Sequence, residues 1–218
     1  MLSSGLVASA ELDALGCSIT KIDQPLEVAA DLAAAVDQHR LYDEADTGFA
    51  LMLAAEFSER GGDLAAAEVL AGRAAEVHHL WGDDDLYPRT FRGEVLMRLG
   101  RADEAMAVLN PLRPLLLEDT EASSQLTSAL RAGGRDELAE QWLTDALRTA
   151  MARRHEPGAD HEQVESVVFS LAQARHELRR DRQLAVDELD DLAEQLLGEL
   201  RAARGVAPTL DDGEYPID

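Results

Sequence analysis

The sequence repeats itself at a fixed spacing, and this constrains its fold more than any other feature. The stretch LGRADEAMAVLNPLR at 99–113 returns 34 residues later as GGRDELAEQWLTDAL at 133–147. An earlier copy, GGDLAAAEVLAGRAAEV at 61–77, stands 38 residues before the middle one, with about four extra residues around LWGDDDLYP. The alignment pairs Gly62, Gly100 and Gly134; Ala67, Ala105 and Ala139; and, in the later two copies, Leu109 and Leu143. Self-similarity at this period is typical of an array of stacked supersecondary units.

Apolar residues recur at helical spacing on both sides of each glycine. Spacings of three and four predict one amphipathic helix before the glycine and a second one after it. The residues that mark the first helices are Leu53, Ala54, Phe57, Phe91, Val95, Leu96, Leu99, Leu126, Ala129 and Leu130. Acidic residues suit the start of the second helices, because unpaired amides and the positive end of the helix dipole lie there. These acids are Asp63, Asp103 and Asp136. The sequence therefore predicts three helical hairpins over 48–153 and an all-α fold.

This pattern resembles the tetratricopeptide repeat (TPR). The family's marks are Gly93, Leu96, Gly100, Ala105 and Leu109 in the middle unit, and Leu126, Leu130, Gly134, Ala139 and Leu143 in the third. The chain departs from the family pattern in having no Trp at the start of a first helix, no Pro at the end of the repeat, and an extra turn residue at Gly61 or Gly62. The segments RHELRRD and DELDDLAEQL look similar to actinobacterial members, and the arginine-rich composition, with Lys21 as the sole lysine, agrees with that source. The resemblance implies a right-handed array with a concave surface.

The flanking segments predict caps for this array. Residues 1–22 are expected to form an N-terminal arm, and residues 23–47 a capping helix with Pro25 in its first turn. A C-terminal pair of helices is predicted over 154–205, and an acidic flexible tail over 206–218. The last helix has an apolar side and a charged side. Such a helix can cover the end of an array and leave only charged residues exposed to solvent. Its charged side comprises Glu188, Asp191, Glu194, Gln195 and Glu199.

Composition limits where the protein acts and what it binds. The formal net charge of -23 argues against nucleic acid as a ligand, because phosphate contacts depend on clustered cations. A single cysteine, Cys17, excludes an internal disulfide and a cysteine-based zinc module. The N-terminus lacks the basic start of a secretory signal, and no window reaches the roughly 18 apolar residues of a membrane span. We therefore expect a cytoplasmic protein without membrane contact.

Two clusters in the sequence combine histidine with aspartate, which are possible metal ligands. His78 and His79 precede Asp83–Asp85, but adjacent side chains on a helix diverge by about 100°, and no HExxH spacing is present. His155, Asp160 and His161 fall in a second polar loop. Phosphate-binding loops and nucleophile elbows are also missing from the sequence. We predict a protein that is not an enzyme and that holds no metal or cofactor.

Two functions follow from an array of helical hairpins. The first is a protein-interaction scaffold that holds an extended peptide or a helix of a partner on its concave face. The alternative is a regulatory sensor with a small-molecule or peptide pocket between the repeats and the C-terminal helices. The excess of acidic residues favours a basic partner, although it also serves solubility. A homodimer remains open.

The resemblance also implies which residues contact the partner, because the first helix of each TPR hairpin lines the concave side. Expected partner-binding residues are Tyr87, Thr90, Glu94, Met97, Arg98, Glu121, Ser124, Ser128 and Arg131, with Tyr87 and Met97 as anchors. Leu51, Ala55 and Ser58 would face the same groove from the first hairpin. Some family members hold a partner's C-terminal carboxylate with Lys, Arg and Asn. Asn110 is the only Asn here and lies on a second helix, so no such clamp is expected.

Overall fold

The computed structural model describes residues 5–81 and 86–203, and in these residues the protein is all-α. They form ten α-helices: α1 (Ser9–Gly16), α2 (Pro25–Asp37), α3 (Thr47–Arg60), α4 (Leu64–Trp81), α5 (Leu86–Arg98), α6 (Ala102–Leu109), α7 (Ala122–Ala132), α8 (Asp136–Arg153), α9 (His161–Asp181) and α10 (Glu188–Ala203). No helix within this part of the chain is both long enough and apolar enough to cross a membrane. The predicted acidic tail and Asp83–Asp85 lie outside the described residues.

The chain divides into two compact units. The first runs to Leu115 and takes up Ser124–Ala139 as well. The second contains Leu116–Ser123 and continues from Glu140. The boundary thus falls inside α7 and again inside α8, and each unit is described by itself.

The N-terminal helices contribute to the core of the first unit. Helix α2 begins at Pro25, where the missing amide hydrogen costs nothing because the first helical amides have no intrahelical partner. It packs along α3, which in turn packs on α4. Val7 and Leu12 are fully buried, and Val7 forms a parallel β-bridge with Leu41. The part of the predicted arm that the structure describes therefore belongs to this core.

The turns after α3, α5 and α7 share one backbone geometry. Gly62, Gly100 and Gly134 have φ angles of +86°, +75° and +66°, a left-handed conformation that costs residues with a Cβ more than glycine. In each turn the amide of the following residue donates to the carbonyl five positions back, at 2.9 Å, 2.9 Å and 3.0 Å. This is the Schellman pattern, which satisfies carbonyls at a helix end. The prediction of a turn between two helices at each glycine is confirmed.

Small residues let the paired helices approach closely. Ala67, Ala105 and Ala139, which the sequence alignment places at one position, are all buried. A Cβ added at Gly93 would lie 2.7 Å from Cγ of Leu109, so α5 and α6 meet where only a hydrogen fits. The close packing expected from these marks is therefore present at Gly93.

The second helix of the middle hairpin is shorter than the repeat predicts. Helix α6 ends at Leu109, and the chain continues as a 3-10 helix over Asn110–Leu117. Pro111 and Pro114 lack the amide hydrogen that an α-helix needs at these positions, and their rings clash with the preceding turn. Leu112 and Leu116 are nevertheless buried, so this segment keeps an apolar side.

The second unit is built around α9 and α10, which pack on each other. Asp160 starts α9 by accepting hydrogen bonds from the amides of Glu162 and Gln163, at 3.1 Å and 3.2 Å. Along α9, Val167, Val168, Leu171 and Leu178 are buried. The predicted charged side of α10, from Glu188 to Glu199, is exposed as expected.

A buried ion network, which the sequence analysis did not predict, lies within this second unit. Arg175 on α9 is 3% exposed and donates to Thr144 at 2.8 Å and to Asp190 at 3.0 Å. Asp187 accepts from Arg175 as well, and this hydrogen bond holds the pKa of Asp187 at about 2. Arg179 on α9 and Arg182, the residue directly after this helix, both pair with Glu140. The network joins α8, α9 and the start of α10 by charge-assisted hydrogen bonds.

Candidate functional site

A groove of about 410 Å³ lies on the first unit, within the size range of about 300–1,000 Å³ usual for ligand sites. Residues of α3, α5 and α7 line it, and these are the helices that the sequence analysis predicts as the first helices of its three repeats. Its walls comprise Glu59, Tyr87, Thr90, Phe91, Glu94, Ser124, Gln125 and Ser128. Aromatic, hydroxyl and carboxylate groups therefore share one concave surface.

Tyr87 and Phe91 form the aromatic part of the groove. Their spacing of four places both rings on one face of α5, with ring centroids 6.0 Å apart and planes inclined by 53°. Phe91 is 8% exposed and closes the bottom, whereas Tyr87 is 39% exposed. Part of the Tyr87 side chain therefore forms the exposed surface of the groove.

Two hydrogen bonds tie the α5 wall to the α7 wall. Thr90 donates to the side-chain carbonyl of Gln125 at 2.8 Å, and Ser128 donates to Glu94 at 3.2 Å. Thr90 is 2% exposed, so its hydroxyl is satisfied inside the groove wall. These bonds fix the spacing of the two helices before any ligand arrives.

Three carboxylates surround the Tyr87 ring. The Tyr87 hydroxyl donates to Glu56 at 2.6 Å, and Arg98 pairs with Glu59. Burial raises the pKa of Glu56, and the charge of Glu59 raises it further, against the opposing effect of the Tyr87 hydrogen bond. Burial and the neighbouring carboxylates, Glu94 among them, raise the pKa of Tyr87 far above its usual value. Glu59 and Glu94 therefore give the groove lining a negative charge, and Arg98 lies beside it through its pair with Glu59.

Five of the nine predicted partner-binding residues meet in this groove. They are Tyr87, Thr90, Glu94, Ser124 and Ser128. Arg98 lies at the margin through its pair with Glu59, and Arg131 is exposed on α7, 3.5 Å from Asp136. Glu121 belongs to the second unit, where its amide hydrogen-bonds to Asp119.

The expectation that Met97 anchors a partner is wrong. Met97 is 6% exposed, and a Cβ added at Gly133 would lie only 2.5 Å from its sulfur. The side chain fills the space beside the turn that follows α7, so a larger residue at position 133 would force it to move. An apolar residue at helical spacing can also pack in the core, and Met97 does so.

The three groove positions expected on α3 are also wrong. Leu51, Ala55 and Ser58 are buried, because α3 contacts α1, α2 and α4. Sequence reasoning instead missed Glu56, Glu59, Phe91 and Gln125. A signal for Glu56 was available, since the same offsets that align the turn glycines place Glu56, Glu94 and Ser128 at one position in successive hairpins.

Of the two histidine clusters, the structure describes the second and only part of the first, because Asp83–Asp85 lie outside the described residues. Within the described part of the chain, no three His, Cys, Asp or Glu side chains come together in a ligating arrangement. The ring of His78 lies close to the backbone at Gly48, where an added Cβ would be 2.6 Å from its Nε2. Asp160 is engaged as the cap of α9.

A second cavity, of about 310 Å³, lies in the second unit between the end of α9 and the start of α10. Two of its lining residues, Arg179 and Asp190, form an ion pair with each other, with 2.9 Å between Nε and Oδ2. Leu184 and Val186 supply exposed apolar surface at its rim. The groove of the first unit joins more elements and carries the stronger charge asymmetry, so it is the better candidate site.

No protein-family model, curated protein or solved structure matches this chain. The case for a function therefore depends on the groove itself: its three first helices, its aromatic side chains and its carboxylates.

Proposed function

We propose that the protein is a protein-interaction module of TPR-like architecture. In this proposal α3, α5 and α7 are the first helices of TPR-like repeats, and the groove that they line binds a short extended or helical segment of a partner protein. The observation that supports the proposal is that residues of α3, α5 and α7, each of which ends at a left-handed glycine turn, line one groove. Stacked helical hairpins present such a surface as their usual binding face.

The groove is built to hold a segment rather than to carry out a reaction. Hydrogen bonds across α3, α5 and α7 make it largely preformed, which lowers the entropy lost on binding. Tyr87 offers a rigid amphipathic ring of the kind enriched at binding hot spots. Three expectations stay predictions: that the protein is not an enzyme, that it is cytoplasmic, and that it binds no metal or cofactor. The alternative function as a regulatory sensor also stays a prediction.

The charge of the groove favours a basic partner. Glu59 and Glu94 line it, Glu56 accepts a hydrogen bond from the Tyr87 hydroxyl, and the whole chain has 43 acidic against 20 basic residues. Such a potential accelerates encounter with a cationic segment and repels acidic ones.

A selection from a random dodecapeptide library on the full-length protein tests the proposal. Enriched peptides should lose binding to Ser128→Trp, because the indole would fill the exposed α7 side of the groove. Tyr87→Ala should weaken the same peptides by about tenfold or more, the usual loss at a hot spot. Isothermal titration calorimetry measures both effects.

Ser166→Trp is the matched control, since Ser166 is an exposed serine within α9 of the other unit. Circular dichroism should show the same helix content and unfolding temperature for both Trp variants. Peptides that bind Ser128→Trp as tightly as the parent would remove the groove as the binding site. A library that yields no binder would overturn the peptide-binding function.

A further inference from the structure

Glu94 is the carboxylate of the groove whose charge has no counter-ion among the described residues. It accepts a hydrogen bond from Ser128, and it lies one helical turn beyond Thr90 on the wall that holds Tyr87. Glu59, opposite on α3, is paired with Arg98. Glu56 is engaged by the Tyr87 hydroxyl. A bound cation could therefore pair with Glu94, replace Arg98 at Glu59 and contact the ring of Tyr87 within one groove.

We infer that the groove is a subsite for one arginine side chain of the partner segment, which lies on the Tyr87 ring and pairs with Glu94 and Glu59. This inference depends on the proposed peptide-binding function and names the residue that the groove selects. Arginine suits it better than lysine, because a planar guanidinium stacks on an aromatic ring and donates to two carboxylates at once. An acidic or purely apolar segment would leave Glu94 facing a worse environment than water.

Arg98 acts in this arrangement as an internal competitor. Its side chain is 37% exposed and that of Glu59 is 26% exposed, so solvent screens their pair and makes it weak. An incoming guanidinium would replace Arg98 at Glu59, while Arg98 would turn into solvent. Removal of Arg98 should therefore tighten binding, whereas removal of any residue that merely contacts the partner would loosen it.

The test uses the peptides selected on the full-length protein, together with the Arg→Lys and Arg→Gln versions of each peptide. Arginine should be enriched at one peptide position, and Arg→Gln there should weaken binding about tenfold or more, with Arg→Lys in between. Glu94→Gln should weaken the arginine peptide about tenfold and leave its Arg→Gln version unchanged. Arg98→Gln should tighten the arginine peptide roughly two- to fivefold.

Two control variants separate these effects from a change in overall charge. Arg73→Gln removes an arginine with the same 37% exposure, which pairs with Asp37 and does not line the groove. Glu76→Gln removes an exposed carboxylate of α4. Both should bind the arginine peptide within about twofold of the parent, because single exposed charges outside a site contribute little.

The outcomes distinguish this inference from the proposed function. Groove-dependent peptides without a preferred arginine, or an Arg98→Gln variant that binds no tighter than Arg73→Gln, would overturn the arginine subsite and leave peptide binding intact. If the peptides bound Ser128→Trp as tightly as the parent, both the arginine subsite and the groove as the peptide-binding site would be refuted. If lysine were enriched and the lysine and arginine peptides bound with equal affinity, the groove would select positive charge without stacking on Tyr87. This result would also refute the inference.

Discussion

The close approach of α5 and α6 at Gly93 makes a quantitative prediction. Gly93→Ala adds one methyl group in the middle of a helix, where it would lie 2.7 Å from Cγ of Leu109. Leu109 is fully buried, so its side chain has no open space into which to move. The substitution should therefore separate the two helices or force Leu109 out of its rotamer.

The expected cost combines two opposing contributions. Overpacking a core by one methyl group costs about 1–3 kcal/mol, while replacing glycine by alanine inside a helix gains about 0.5–1 kcal/mol. Gly72→Ala in α4 isolates the gain, because its added Cβ would lie 3.4 Å from the nearest atom, the tip of Arg92. Subtracting the two changes leaves the clash, about 1–3 kcal/mol, or roughly 2–12 °C in Tm for a chain of this size.

Thermal and urea unfolding followed by circular dichroism at the helix band measure these differences. The Leu109→Ala background provides the decisive comparison, since it removes the atoms that the new methyl group meets. Although Leu109→Ala alone should cost about 2–5 kcal/mol, adding Gly93→Ala to it should cost no more than Gly72→Ala does. Equal stability of the Gly93→Ala and Gly72→Ala proteins would refute the packing of α5 on α6 described above.

Three further predictions concern register, acid stability and recognition. Ala105→Arg and Ala139→Arg each place a charge at a buried position and should destabilise by about 1–3 kcal/mol or more, so variants that melt like the parent would show that the repeat register is wrong. Asp187 has a pKa of about 2 against an ordinary 3.8, so its contribution to stability is present above about pH 4 and is lost as the pH falls through about 2. The stability deficit of Asp187→Asn in urea should therefore be largest at pH 7 and should shrink steadily as the pH falls from 4 through 2, whereas a deficit independent of pH would contradict the Arg175 pairing. A basic peptide should associate more slowly as salt rises, because exposed charges beyond about 8 Å are screened at physiological ionic strength; a stopped-flow rate unchanged by salt would leave solubility as the reason for the acidic surface.

The hairpins were predictable because their signals are local. Glycine is the favoured residue at a left-handed turn that ends a helix, so Gly62, Gly100 and Gly134 indicate the turns from the local sequence alone. The aligned alanines report close packing within the same unit. Prolines at 111 and 114 carry an equally local signal, and they explain why α6 ends early.

The groove was only partly predictable, because it depends on what surrounds each helix. Tyr87 and Glu94 were identified by their place on a first helix, and the same reasoning placed Leu51 and Met97 there incorrectly. Leu51 is buried because α3 has α1 and α2 as additional neighbours, which a repeat pattern alone does not include. Met97 is buried because Gly133, 36 residues later, leaves room for it.

The arginines of α9 show why a charge run does not identify a solvated face by itself. Arg175 and Arg179 are spaced by four, so they lie on one side of α9, and Arg182 follows directly after the helix. Desolvating a guanidinium costs several kcal/mol unless its donors find acceptors, and Arg175 finds them in Thr144, Asp187 and Asp190. The sequence contains every one of these partners, but their distances depend on how α10 returns along α9. A charged stripe at helical spacing is therefore equally compatible with solvent and with a buried network, and only the position of the acids in space decides between them.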